Sequence, residues 1–157
     1  MDIFFEPHRK MLRLLVEFNV DFMLVGGFAV NYYGFNRPTG DMDVWLKPND
    51  ENKNKLVKAL NNYGFNEESI SYVNSLDFSE TLVFSCGEPP FRVDFLTQIG
   101  GVKYAEAEHQ RVKSTMENIE ISIIHIHDLV LSKIANNRTK DKLDVEELQK
   151  IIVNKKN

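Results

Sequence analysis

Near the N-terminus, Met11, Leu14, Leu15 and Phe18 recur at helical spacing, following a proline, Pro7, that an early helical turn tolerates. Phe22–Val25 is a short continuous apolar run that stops at Gly26-Gly27, the pattern of a buried strand entering a tight turn. Residues 28–33 then predict a short helix stopped by Gly34, and 35–40 (FNRPTG) a loop. Residues 41–46 (DMDVWL) predict a strand closed by Lys47-Pro48. Asn49 is suited to cap the next helix, with Asp50 and Glu51 in its first turn, Leu56, Val57 and Leu60 as its apolar stripe and Gly64 at its end. Strands are predicted at 79–85 and 91–96 around the turn at 86–90, and another at 119–126. Segment 103–118 is polar and ambiguous. Helices are predicted at 128–135 and 143–153, separated by the basic stretch NNRTKDK, with the final NKKN a frayed tail. This order implies an α+β or α/β chain with one mixed sheet flanked by helices.

Composition narrows the class. At 157 residues, with 43% hydrophobic and 27% charged, the chain has ordinary globular proportions and length for one domain. The expected unit is residues 1–157, with a core at about 12–100 and a C-terminal strand and helices at about 101–153. The net charge of −4 argues against tight non-specific binding of nucleic acid. It is unevenly spread: residues 133–157 carry seven bases and four acids, +3, which leaves −7 for the rest. One cysteine, Cys86, permits no internal disulfide and suits a reducing compartment. No apolar run approaches a membrane span, and the first ten residues lack a signal pattern, so a cytoplasmic protein is expected.

The chemistry centres on acids. Asp41 and Asp43 are two apart on a predicted strand, so their carboxylates leave the same face. Alone, the pair fits a solvent-facing strand edge as well as a cation site. Asp94 changes the balance: it lies within the apolar run 91–96, where a buried charge needs a partner or a metal. On an adjacent strand it would complete a three-carboxylate cluster, the kind that holds two Mg²⁺ ions for in-line phosphoryl chemistry. Gly26-Gly27, fifteen residues before the acids, lets backbone approach a phosphate at a helix N-terminus. In the loop between them Arg37 is a candidate phosphate clamp, its alternative being a surface ion pair. Thr39 is a candidate nucleotide contact that could instead bond to its own loop backbone or orient an acid, the structural role being favoured.

The runs Val25-Gly-Gly-Phe-Ala-Val-Asn-Tyr-Tyr-Gly34, Arg37-Pro-Thr-Gly-Asp-Met-Asp-Val44 and Val93-Asp-Phe-Leu96 resemble the nucleotidyltransferase superfamily of the polymerase beta type. The likeness is to small bacterial members grouped with lincosamide nucleotidyltransferases and the nucleotidyltransferase-like toxins of abortive infection. Asp128-Leu-Val-Leu-Ser-Lys133, Asn137-Arg-Thr-Lys-Asp141 and Asp144-Val-Glu-Glu-Leu148 resemble the same proteins, and the likeness spans about 12–152. It implies the nucleotidyltransferase fold and Asp41 and Asp43 as ligands of two Mg²⁺ ions, or Mn²⁺. It implies Asp94 on the catalytic metal and near the acceptor hydroxyl, and Gly26 and Gly27 on the outer phosphates of an NTP. Lys133 would steady the triphosphate. Many members have Gly-Ser in place of Gly26-Gly27, so here a hydroxyl contact to phosphate is missing.

The implied activity is transfer of a nucleoside monophosphate from an NTP to an acceptor hydroxyl with release of pyrophosphate. The acceptor is open: a small molecule such as an antibiotic, an RNA or a protein, with a second subunit or a partner protein to complete its pocket. The alternative is a catalytically inactive module of the same fold that binds nucleotide or a partner, as in a toxin–antitoxin pair; an Asp-x-Asp glycosyltransferase fits the short chain poorly. Other residues carry less. His125 and His127 are expected outward with Ile124 and Ile126 inward, His109 has no predicted partner, and Cys86 is an inert thiol. Asp141 and Asp144 are expected to cap a helix or pair with Arg138 or Lys140, Trp45 to pack in the core, and Phe4, Phe5, Phe91 and Phe95 to be core or interface.

Overall fold

The computed structural model describes residues 5–156. Its first element, α1 (Glu6–Glu17), takes Pro7 in its first turn and buries Met11, Leu12 and Leu15. All four residues of β1 (Phe22–Val25) are buried, as expected of an interior strand covered on both faces. It runs without a gap into α2 (Gly26–Tyr33), ended by Gly34 in the left-handed conformation. The glycine pair expected in a turn before this helix therefore forms its first two residues. β2 (Met42–Leu46) begins one residue later than expected, leaving Asp41 in the bend before it.

The α3 helix (Asp50–Tyr63) is capped by Asn49, whose side chain accepts from the Asn52 amide, and ends at Gly64 in the left-handed conformation. A helix absent from the sequence expectations follows: α4 (Glu67–Ser75), capped by Asn66 through the Ser69 amide. β3 (Val83–Cys86) and β4 (Val93–Leu96) are shorter than the apolar runs that predict them. The ambiguous segment resolves into a one-turn helix, α5 (Tyr104–Ala107), a 3₁₀ turn at Glu108–Gln110 and β5 (Val112–Met116).

β6 (Ile119–Ile123) ends three residues early because His125 caps the next helix, its Nδ1 accepting from the His127 amide. That helix, α6, spans Ile126–Asn136 and stops at Asn137 in the left-handed conformation. α7 (Thr139–Lys156) takes in part of the basic stretch and most of the expected frayed tail; Asn157 lies outside the described residues.

One mixed sheet, ordered β3-β4-β2-β1-β6-β5, holds these elements together. β1 pairs antiparallel with β2 and parallel with β6, and β2 pairs parallel with β4. α1 packs on α3 and β6, while α2 packs on α6 and α7. The core fills with Trp45, Phe28, Phe95, Leu24, Ile121, Leu129 and Leu148. Trp45 is only 1% exposed, and its indole N–H donates to the Thr97 carbonyl. Ile124 and Ile126 point inward, with His127 outward, as their pattern predicts. Phe95 is buried, but Phe91 is exposed and stacks on Phe5; Phe4 lies outside the described residues. No helix of the described residues is long and apolar enough to cross a membrane.

Candidate active site

Strand alternation aims the acids. In β4, Val93 and Phe95 are buried and Asp94 between them is not, so Asp94 faces away from that side of the core. The parallel β2–β4 register sets Asp43 directly beside Asp94. Both line a cleft of about 730 Å³ with Asp41, Gly26, Gly27, Arg37, Thr39 and Lys133, all eight residues singled out in the sequence. Arg138 and Lys140 also line it, as does Val83, so bases and acids share one opening.

Burial pushes Asp43 up to about 6; the charges of Asp94 and Asp41 add to the rise, and Lys133 and Lys140 oppose it. Its carboxylate accepts no hydrogen bond among the described residues. Asp94 is differently served: Ser85 Oγ donates to its Oδ1 at 2.6 Å and Arg92 Nε at 2.8 Å. Arg92 Nε also stands 3.8 Å from Asp41 Oδ2, so one guanidinium lies between two of the three acids. Accordingly, among the described residues no three Asp, Glu, His or Cys side chains cluster tightly enough to form a ready-made metal site. The expected three-carboxylate cluster is a row along one cleft wall. Its chemistry still suits a hard divalent cation: a largely buried carboxylate without donors sits beside a second carboxylate at one strand spacing.

The glycines are there for space. Gly26 has φ +66°, and a Cβ on it would overlap Asp43 Oδ2. A Cβ on Gly27 would overlap the Thr39 hydroxyl and come within 2.9 Å of the Thr39 Cβ. Contrary to the structural role favoured for Thr39, its hydroxyl bonds neither to its own loop nor to an acid among the described residues.

Arg37 makes the ion pair that was its alternative to a phosphate contact, though with a buried acid. Its Nε and Nη2 grip both oxygens of Asp144 at 2.8 and 2.9 Å, the fork geometry anticipated for a phosphate. Nη1 donates to the Pro38 carbonyl. Lys133 Nζ lies 3.0 Å from Asp144 Oδ2 and 3.3 Å from Asp141 Oδ1, with all three side chains buried. Asp141 also accepts from the Arg138 amide and guanidinium, the capping and pairing role expected of it. Asp144 differs from expectation: its partners are Arg37 and Lys133 rather than Arg138 or Lys140.

Sequence reasoning missed Ser85 and Arg92. Arg92 carried a signal, since residues 92 and 94 of a strand share a face; Ser85 is found only through the β3–β4 register, which pairs it with Asp94. His109 is exposed and does not line the cleft. His125 and His127 touch ring to ring at 4.8 Å but belong to no metal-binding group among the described residues. Burial pushes the Cys86 thiol up to about 12, the inert state expected.

Residues 4–157 match the model of a family described as "Nucleotidyl transferase of unknown function (DUF2204)". The chain belongs to that family. Its fold is also that of a solved lincosamide antibiotic adenylyltransferase, LnuA, in its lincomycin-bound form. The two share 15% identity with a TM-score of 0.56, over 94% of this chain and 97% of that one, a likeness that shows a common fold. No curated protein matches the chain. The family description assigns nucleotidyl transfer as the general chemistry and leaves the acceptor unnamed.

Proposed function

We propose that this DUF2204 member is an Mg²⁺-dependent enzyme that transfers a nucleoside monophosphate from an NTP to an acceptor hydroxyl. The acceptor oxygen attacks the α-phosphorus, the bond to the β-phosphate oxygen breaks, and pyrophosphate leaves. The observation that carries this reading is Asp43, largely buried, without a hydrogen-bond donor, and in register with Asp94 beside the glycine start of α2. Asp41, Asp43 and Asp94 would hold the divalent cations. Bound there, these ions would supply charge neutralisation at the attacking and leaving oxygens. Asp94 would take the acceptor proton.

Amides at the start of α2 would receive the outer phosphates, with Gly26 and Gly27 keeping side chains out of the way. Lys133, held in place by Asp141 and Asp144, would present its ammonium to the triphosphate, and Arg37 would add Nη1 from the loop. The structural neighbour's antibiotic suggests a small hydroxylated molecule as one acceptor class; an RNA or protein hydroxyl is the other kind to test.

The test is incubation with each α-labelled NTP, Mg²⁺ or Mn²⁺, and separate pools of lincosamide and aminoglycoside drugs, tRNA and protein. Label should move to one pool with release of pyrophosphate. Asp94→Ala should abolish transfer while leaving metal-dependent NTP binding largely intact. Binding of NTP with no transfer to any pool would overturn the catalytic reading in favour of a nucleotide-binding module.

A further inference from the structure

We infer that the Thr39 hydroxyl is a phosphate donor set into the side-chain space that Gly27 leaves open, so that glycine at 27 and threonine at 39 work as a pair. The inference rests on the nucleotidyl-transfer reading and assigns a group to the triphosphate end of that site. A Cβ on Gly27 would overlap Thr39 Oγ1 and lie 3.3 Å from Arg37 Nη1. The start of α2 therefore carries a hydroxyl and a guanidinium N–H where its own second residue would have projected a side chain. Both come from the loop before β2, which follows α2 in sequence and folds back over its first turn.

Two observations separate this from ordinary packing. The hydroxyl has no hydrogen-bond partner among the described residues, although a loop threonine can bond to nearby backbone. Thr39 also lines the acid-bearing cleft. The loop that presents it is held: Arg37 is clamped to buried Asp144, and the Arg37 amide donates to the Asn31 side chain of α2. A hydroxyl fixed on a braced loop, beside helix amides and a guanidinium, makes a donor set matched to phosphate oxygens and costs little ordering on binding. The space is exclusive. Any side chain at 27 collides with Thr39, so the hydroxyl can come from one position or the other, not both.

The experiment measures binding of all four NTPs, with Mg²⁺, to the full chain and three folded variants by calorimetry. Thr39→Val, which keeps the shape and removes the hydroxyl, should weaken binding by about tenfold or more, the scale of one charge-assisted hydrogen bond. The loss should be the same for all four bases, because the contact is to phosphate. Gly27→Ser alone should also weaken binding, and adding Thr39→Gly should recover most of it by moving the hydroxyl to the helix and clearing its space. Thr39→Val binding as tightly as wild type would overturn the inference while leaving the transfer reading in place. So would a double variant no better than Gly27→Ser, which decides the matter should Thr39→Val not fold. A wild-type chain that binds no NTP would instead sink the transfer reading itself.

Discussion

Replacing Asp43 by asparagine should make the metal-free protein more stable at neutral pH, though it removes a proposed metal ligand. Burial and the neighbouring acids raise Asp43 from 3.8 to about 6, which means the folded state holds this proton more tightly than the unfolded chain does. Between those values the folded state binds the extra proton, so stability falls as pH rises from about 4 to about 6, and the full cost is present above 6. A rise of that size corresponds to roughly 3 kcal/mol. An asparagine side chain is neutral at every pH, so Asp43→Asn should gain up to that amount at pH 7. For a chain of this length the gain is about 6–12 °C in melting temperature.

Thermal melts of both proteins in EDTA, from pH 4.5 to pH 8, test this directly. The gap should be widest above pH 6.5 and shrink to about 1 kcal/mol or less by pH 4.5, where folded Asp43 is already protonated. Added Mg²⁺ or Mn²⁺ should then raise the wild-type melting temperature and leave Asp43→Asn nearly unmoved, because binding to the folded state alone stabilises it. An asparagine variant no more stable than wild type at pH 7 in chelator would refute the reasoning. So would a gap that does not change with pH.

Two further outcomes follow from the charged groups around the cleft. Asp144→Ala strips the buried partner from both Arg37 and Lys133, leaving Asp141 as the remaining carboxylate on Lys133; urea denaturation should show a loss of about 3–5 kcal/mol, and a loss under 1 would contradict the buried network. Arg92→Ala removes the guanidinium that lies between Asp94 and Asp41, so the Mg²⁺ or Mn²⁺ concentration needed for half-maximal thermal stabilisation should fall severalfold; an unchanged or higher requirement would show that Arg92 does not compete for these carboxylates.

Much of the architecture is written in local patterns. The apolar run 22–25 is a strand to the residue, and Asn49 and Gly64 bound α3 as their chemistry predicts. The element that escaped, α4, had a cap at Asn66 and two acids in its first turn, but its only buried residue is Val73, so it lacks the apolar stripe by which helices are usually found. The start of α6 was misplaced for a different reason. Ile124 and Ile126 prolong the apolar run beyond Ile119, Ile121 and Ile123 but out of phase with them, and His125, whose ring accepts from the His127 amide, caps α6 there. For the site, residue types and spacing pick out the cleft's acids and glycines, because the β2–β4 register preserves strand alternation across neighbours. Pairings are another matter: whether Arg37 faces a phosphate or Asp144 depends on α7, more than a hundred residues away in sequence. No local pattern encodes that distance.

Sheet order explains why so acidic a chain can present a surface to a polyanion. β1 and β6 are parallel neighbours, and each leads at its C-terminal end into a helix, α2 directly and α6 after two residues. Parallel strands followed by helices bring two helix starts to the same edge of a sheet, the place where such folds bind ligands. β2 runs antiparallel to β1, so its N-terminal end, with Asp41 and Asp43, returns to that edge, and parallel β4 brings Asp94 alongside. Three bases of the C-terminal segment, Lys133, Arg138 and Lys140, thus line the cleft that holds Asp41, Asp43 and Asp94. Had β6 joined at the sheet's outer edge instead of beside β1, α6 would not pack against α2, and Lys133 would not line the cleft of the acids.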